Sequence, residues 1–202
     1  RCTVLLDVRA EILPDGNTQS PPRPNSQRNL VQFHTLVLGM FQNNCYVLFD
    51  EREGVVIDAS FESDEIVNFV KKQGISLKRI LLTHGHIDHV AGTDVVRQAT
   101  GAKVAIHQED FWLYQNVRMQ GMLFGFTFHD LAPPDEFIED NAEIVCGSFT
   151  LKVLHTPGHS PGAVAFYYED EKRKLLFCGD TLFAGSIGRT DLWGGSFDTI
   201  CA

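Results

Sequence analysis

The heptapeptide Thr83-His84-Gly85-His86-Ile87-Asp88-His89 constrains this chain more than any other stretch. Three imidazoles and one carboxylate fall within six positions, after a short apolar run at 79–82 and before a helical pattern. A loop at a strand end can aim several side chains at one point, whereas a regular helix or strand spreads them over its faces. Imidazole nitrogens with a carboxylate oxygen form a donor set for zinc, iron and other borderline metals. A chain that uses such a loop needs a rigid frame of strands behind it.

Two further strand ends offer the same residue types. The apolar run 151–154 leads into His155-Thr156-Pro157-Gly158-His159-Ser160-Pro161-Gly162, where Pro157 and Gly158 make a tight turn that can present His159. Phe177-Cys178-Gly179-Asp180-Thr181 ends a third apolar run on Asp180. Any one of these is weak alone, since Pro-Gly-His is often only a turn and a strand-terminal Asp is often only a cap. Three in this order point to one metal site.

The rest of the chain supplies the frame. With 202 residues, 44% of them apolar and 21% charged, one globular domain with a sizeable core is expected. Residues 1–29 read as a flexible N-terminal arm, because 14–29 is rich in Pro, Asn, Ser and Gln; the domain is placed at 30–202. Short β-type runs near 31–38, 45–49 and 55–57 suggest an antiparallel meander. Ser63 is positioned to cap a helix with an apolar stripe of Ile66, Val67 and Val70 that Gly74 stops, and a second helix is expected over 90–100. Residues 163–168 and 174–177 read as a hairpin, and 108–140 has no clear pattern, with 119–128 a possible lid or insertion. Blocks of strands with interspersed helices indicate a layered α+β or α/β architecture.

Composition also excludes partners. A formal charge of -9 repels phosphate backbones, so no nucleic acid is expected. No apolar run reaches the roughly 20 residues needed to cross a bilayer. Five cysteines without a CxxC pair read as reduced thiols of an intracellular protein, cytoplasmic or, as the alternative, organellar.

The set His84, His86, Asp88, His89, His159 and Asp180 resembles the H-x-H-x-D-H signature and downstream ligands of the metallo-β-lactamase superfamily. With Gly188-Arg189-Thr190-Asp191, it looks most like compact glyoxalase-II-like proteins. The resemblance implies an αββα sandwich with metals at one edge of two sheets. By position, His84, His86 and His159 would bind a first ion, Asp88 and His89 a second, and Asp180 would bridge them. The cofactor implied is zinc, one or two ions, with iron or manganese as alternatives. The family supplies one more histidine after the bridging Asp; this sequence has none after His159, so the second site and the C-terminal half of the sandwich are expected to be incomplete.

The activity implied is hydrolysis of small thioesters, glutathione-linked ones such as S-lactoylglutathione, with Asp88 orienting the attacking hydroxide. Two alternatives are a mononuclear iron persulfide dioxygenase using His84, His159 and Asp180, and a non-catalytic truncated isoform. Asp58 reads equally as a partner of a ligand histidine or as a cap. Arg189 and Asp191 are expected to pair with each other or with groups around the site. His34, His107 and His129 lack metal-type neighbours in sequence, and His155 matches no ligand position.

Overall fold

The computed structural model describes residues 5–7 and 31–202. β1 (Leu5–Asp7) is followed, after Val31, by an antiparallel meander of β2 (Gln32–Leu38), β3 (Asn43–Phe49) and β4 (Glu53–Ile57). β5 (Ser76–Leu81), β6 (Lys103–His107) and β7 (Glu136–Ile138) continue it in parallel, giving a six-stranded sheet ordered β2-β3-β4-β5-β6-β7. A second, antiparallel sheet is ordered β1-β11-β10-β9-β8, from β8 (Glu143–Cys146), β9 (Phe149–His155), β10 (Val164–Glu169) and β11 (Lys174–Phe177). β12 (Leu182–Phe183) and β13 (Ser186–Ile187) form a small hairpin beyond it.

Side chains alternate across a strand, and that alternation sets the layers. Val47, Val56, Ile80, Val104 and Ile106 share one core with helices α1 (Asp64–Gln73), α2 (Ile87–Val90), α3 (Thr93–Thr100), α4 (Phe111–Gln115) and α5 (Val117–Leu123). Their neighbours Leu48, Val55, Ile57, Leu81 and Ala105 share the other core with Phe149, Leu151, Val153, Phe166 and Phe177 of the second sheet. The inner strands β3, β4 and β6 are therefore buried on both faces, which is why they read as near-continuous apolar runs. Each fully buried Phe or Leu in this core is worth about 1.5–3 kcal/mol. The last helix, α6 (Phe197–Ile200), follows the loop after β13. The architecture is the mixed α+β sandwich of the resemblance.

Asp50, in the turn after β3, ties the two sheets at one end. It accepts the backbone N–H groups of Arg52 and Glu53 (both 2.9 Å) and, across the sandwich, that of Ser148 (2.8 Å). Gly147 makes this possible: its φ is +50°, and a Cβ there would collide with Asp50 Oδ2.

Several expectations are refined. The helix expected over 90–100 begins only at Thr93, as α3; Ala91 and Gly92 separate it from α2, which belongs to the histidine motif. Ser63 does not cap α1 with its hydroxyl, which donates to Gly92 O instead (3.2 Å). The segment 108–140 holds α4, α5 and strand β7, none of which shows a clean period. Leu5–Asp7, inside the expected flexible arm, pairs antiparallel with β11 as the edge strand of that sheet; residues 1–4 and 8–30 of the arm lie outside the described residues.

Candidate metal centre

Three strand ends from two sheets meet at one edge of the sandwich. β5 feeds the loop carrying His84 and His86, β9 the loop carrying His159, and β11 the turn carrying Asp180. Val164 N donates to Thr83 O (2.8 Å), stapling the first loop to the second sheet.

His84, His86 and His159 are all buried and point three nitrogens at one spot. His159 Nε2 lies 2.9 Å from His86 Nδ1 and 3.2 Å from His84 Nε2. The outer nitrogens fix the tautomers. His159 Nδ1 can only donate to Arg189 O (2.7 Å), so its Nε2 is a bare lone pair. Thr83 Oγ1 spends its proton on Asp58 (2.8 Å to Oδ2) and so accepts from His84 Nδ1 (3.0 Å). That leaves His84 Nε2 bare as well. Two lone pairs facing each other at 3.2 Å repel unless a cation sits between them, and His86 Nε2 is buried with no hydrogen-bond partner. Burial first, then the neighbouring rings, pushes His84 far below the ordinary imidazole range and His86 to about 3. Neutral imidazoles are what metal ligation requires.

The second group adjoins the first. His84, His89 and Asp180 also bring one donor atom each together. His89 Nε2 is 3.3 Å from Asp180 Oδ1 and 3.8 Å from Asp88 Oδ2, while its Nδ1 meets Asp58 Oδ2 at 2.8 Å. Burial opposes charging His89, but Asp58, Asp88 and Asp180 outweigh it and hold the ring well above its ordinary value. Burial likewise opposes ionising Asp180; the charge on His89 and its neighbours brings it down to about 2. Asp88 sits at the rim, more open than the histidines, with Oδ2 held by Asn43 Nδ2 (3.1 Å).

The family model of the metallo-beta-lactamase superfamily matches residues 38–200. The chain belongs to the metallo-beta-lactamase superfamily. The probable metallo-hydrolase YqgX of Bacillus subtilis is 38% identical over 84% of this chain and 80% of its own length. Hydroxyacylglutathione hydrolase GloC of Haemophilus influenzae is 34% identical over 79% of this chain and 76% of its own. Among solved structures, the BLEG-1 B3 metallo-beta-lactamase superposes with a TM-score of 0.76 at 34% identity, covering 84% of this chain and 81% of that one. TTHA1623, in a di-iron-bound form, gives 0.73 at 31% identity, covering 83% and 82%. The protein is thus a metal-binding hydrolase of this superfamily. Among the described residues, no helix is long and apolar enough to cross a membrane.

The metallo-beta-lactamase frame depends on residues that sequence reading did not single out. Asp110, fully buried at the end of the 3-10 turn Gln108–Asp110, accepts from Gly85 N (2.7 Å), Ser160 Oγ (2.7 Å) and Gly162 N (2.6 Å). One carboxylate therefore clamps the His84–His86 loop to the His159 loop. Gln120 of α5 holds the same loop from the other side, accepting from Ile87 N (2.9 Å) and donating to Gly85 O (3.0 Å). The segment 119–128 begins as a support for the histidine loop. Gly85 is required there, since a Cβ would meet Leu113 Cβ at 2.7 Å. An Asp before the apolar stretch 111–114 is a helix-start signal that could have flagged Asp110; Gln120 and Asn43 carry no such mark.

Asp58 resolves as a positioning residue, joining Thr83 and His89 from a left-handed backbone (φ 60°). Arg189 and Asp191 pair with each other (2.7 and 2.8 Å), and the Arg189 carbonyl orients His159. His34 stacks on Phe69 and His129 on Phe128, away from metal-type groups. His107 departs from expectation: folding brings it beside His155 and Glu109.

Proposed function

We propose that this chain hydrolyses thioesters of small hydroxy acids, with glutathione-linked substrates such as S-lactoylglutathione as the class. The observation that carries the reading is the pair of adjoining donor groups, His84-His86-His159 and His84-His89-Asp180, with Asp88 open at their rim. The similarity to GloC, named a hydroxyacylglutathione hydrolase, supports the substrate class.

The donor set fits zinc, and iron or manganese equally by chemistry. His84, His86 and His159 would hold a first ion; Asp88, His89 and Asp180 would hold a second more weakly. A bound divalent ion would supply Lewis acidity and bring the pKa of a water from 15.7 toward about 7. The chain's own residues do the rest. Thr83, held by Asp58, and Arg189 O fix the tautomers that bare His84 Nε2 and His159 Nε2. Asp110 and Gln120 hold the two loops in register. Asp88, anchored by Asn43, is placed to orient the attacking water and take its proton at a carboxylate oxygen. The carbonyl carbon gains a C–O bond and loses its C–S bond, releasing a carboxylic acid and a thiol. A thiol of pKa about 8.5 leaves readily as thiolate, so the site needs no strong general acid.

The test is turnover of S-lactoylglutathione by chain loaded with zinc, iron or manganese, run beside a β-lactam and an oxygen-uptake assay with glutathione persulfide. Thioester cleavage without oxygen uptake is expected. Lactam cleavage alone would favour the activity named for BLEG-1, and oxygen uptake alone a dioxygenase.

A further inference from the structure

His107 ends β6 of one sheet and His155 ends β9 of the other, so both project from the edge that carries the metal centre. Their rings stack, with centroids 4.3 Å apart and planes 16° from parallel. Glu109, exposed on the following turn, reaches to 3.8 Å of His155 Nε2. We propose that His107, Glu109 and His155 form a separate binding site for a borderline divalent cation such as Zn2+ or Cu2+.

Three observations support it. One donor atom from each of the three residues falls within 4.8 Å of the other two, and none of the three belongs to the main centre. Two imidazoles with one carboxylate form a donor set these ions favour over Mg2+ or Ca2+. Burial first, then the His155 ring, holds His107 below the ordinary imidazole range, so it is neutral and ready to donate a lone pair. The contacts to be given up are modest. His107 Nδ1 accepts from Glu109 N at 3.3 Å, beyond the usual range for such a bond. His155 Nε2 donates to Pro161 O (2.9 Å); to bind the cation there it would give up that bond and carry its proton on Nδ1 instead, the ring staying neutral. Glu109 can close the remaining gap by a rotamer change, because its side chain lies in solvent.

The site shares no ligand with the main centre, so it stands or falls independently of the thioesterase reading. The test uses the whole chain, stripped of metal, and Cu2+ as the probe. Imidazole C–H resonances of His107 and His155 should broaden together in a second step, after those of the main-centre histidines. Glu109→Ala, at an exposed position, should weaken that second step by at least about 10- to 100-fold, the loss typical of removing only an outer partner. It should leave the first step and the thermal midpoint unchanged. His155→Ala should abolish the second step. The proposal is overturned if only the main-centre histidines respond, or if His34 and His129 broaden in the same step as His107 and His155. A second step that survives Glu109→Ala and His155→Ala also overturns it.

Discussion

His84 Nε2 and His159 Nε2 face each other at 3.2 Å, each with its proton committed to the far side of its ring. The fold spends free energy holding these atoms together, and a cation returns it. At a thousandfold excess over its dissociation constant, a bound ion stabilises the native state by about 4 kcal/mol. In a chain of this length that should raise the melting midpoint by roughly 8–16 °C. Calorimetry with and without zinc checks it. His159→Ala should erase most of the rise; an equal rise in that variant would remove His159 from the site.

The two donor groups are unequal. Three neutral imidazoles converge on one spot, whereas the neighbouring spot has His89, Asp180 and the more distant Asp88. Elemental analysis after dialysis against a mild chelator should give nearer one tightly held ion per chain than two. Two ions that survive the dialysis would mean that the His89, Asp180 and Asp88 group binds as tightly as the three histidines.

Asp110 should matter as much as a ligand. Asp110→Ala would strand Gly85 N, Gly162 N and Ser160 Oγ in a buried pocket, and each orphaned donor costs about 1–3 kcal/mol. A loss of about 3 kcal/mol or more by urea unfolding is expected. Asp110→Asn keeps one acceptor oxygen and should fold, yet bind metal about 10- to 100-fold more weakly because the two loops lose their common anchor. Unchanged metal affinity in Asp110→Asn would show that the loops hold register without it.

What the sequence displayed was local. His84, His86, Asp88, His89, His159 and Asp180 are legible because short loops at strand ends compress them into motifs. The structure brings His84, His86 and His159, and His84, His89 and Asp180, into two adjoining sets, with Asp88 beside them. Strands β3, β4, β5 and β9 are legible because burial on one or both faces writes itself as apolar runs. The supports were hidden because the bonds that define them are tertiary, Asp110 alone carrying a local helix-start mark. Asp110, Gln120 and Asn43 are single polar residues whose partners lie 25 to 52 positions away for Asp110, 7 to 35 for Gln120 and 45 for Asn43. The pairing of His107 with His155 was invisible for the same reason, since it needs the two sheets to meet.

The clasp at the opposite end predicts an acid limit. Burial works against ionising Asp50, but the N–H groups of Glu53, Arg52 and Ser148 prevail and lower its pKa. The folded value then lies below the unfolded one of about 3.9, so the stabilisation is complete above that pH and is lost as pH falls through the folded value. Asp50→Asn should be less stable than the parent by a constant margin from pH 8 to 5, and the margin should shrink below about pH 4. Urea unfolding at stepped pH reads it directly. A margin unchanged down to pH 3 would place the effect elsewhere.

Asp88 separates positioning from chemistry. Its carboxylate is the most open of the six motif side chains, and Asn43 Nδ2 fixes one oxygen while its neighbour His89 is fully packed. If Asp88 orients water and takes its proton, Asp88→Ala should lower kcat for S-lactoylglutathione by about 10²- to 10⁴-fold, the usual worth of a positioned general base. KM should move little, because the substrate's remote contacts are intact, and the tightly held ion bound by His84, His86 and His159 should stay. Asn43→Ala leaves the carboxylate present but unanchored, so it should give a smaller loss in kcat and no change in metal content. Equal losses in the two variants, with metal lost from both, would mean that Asp88 acts only as a ligand.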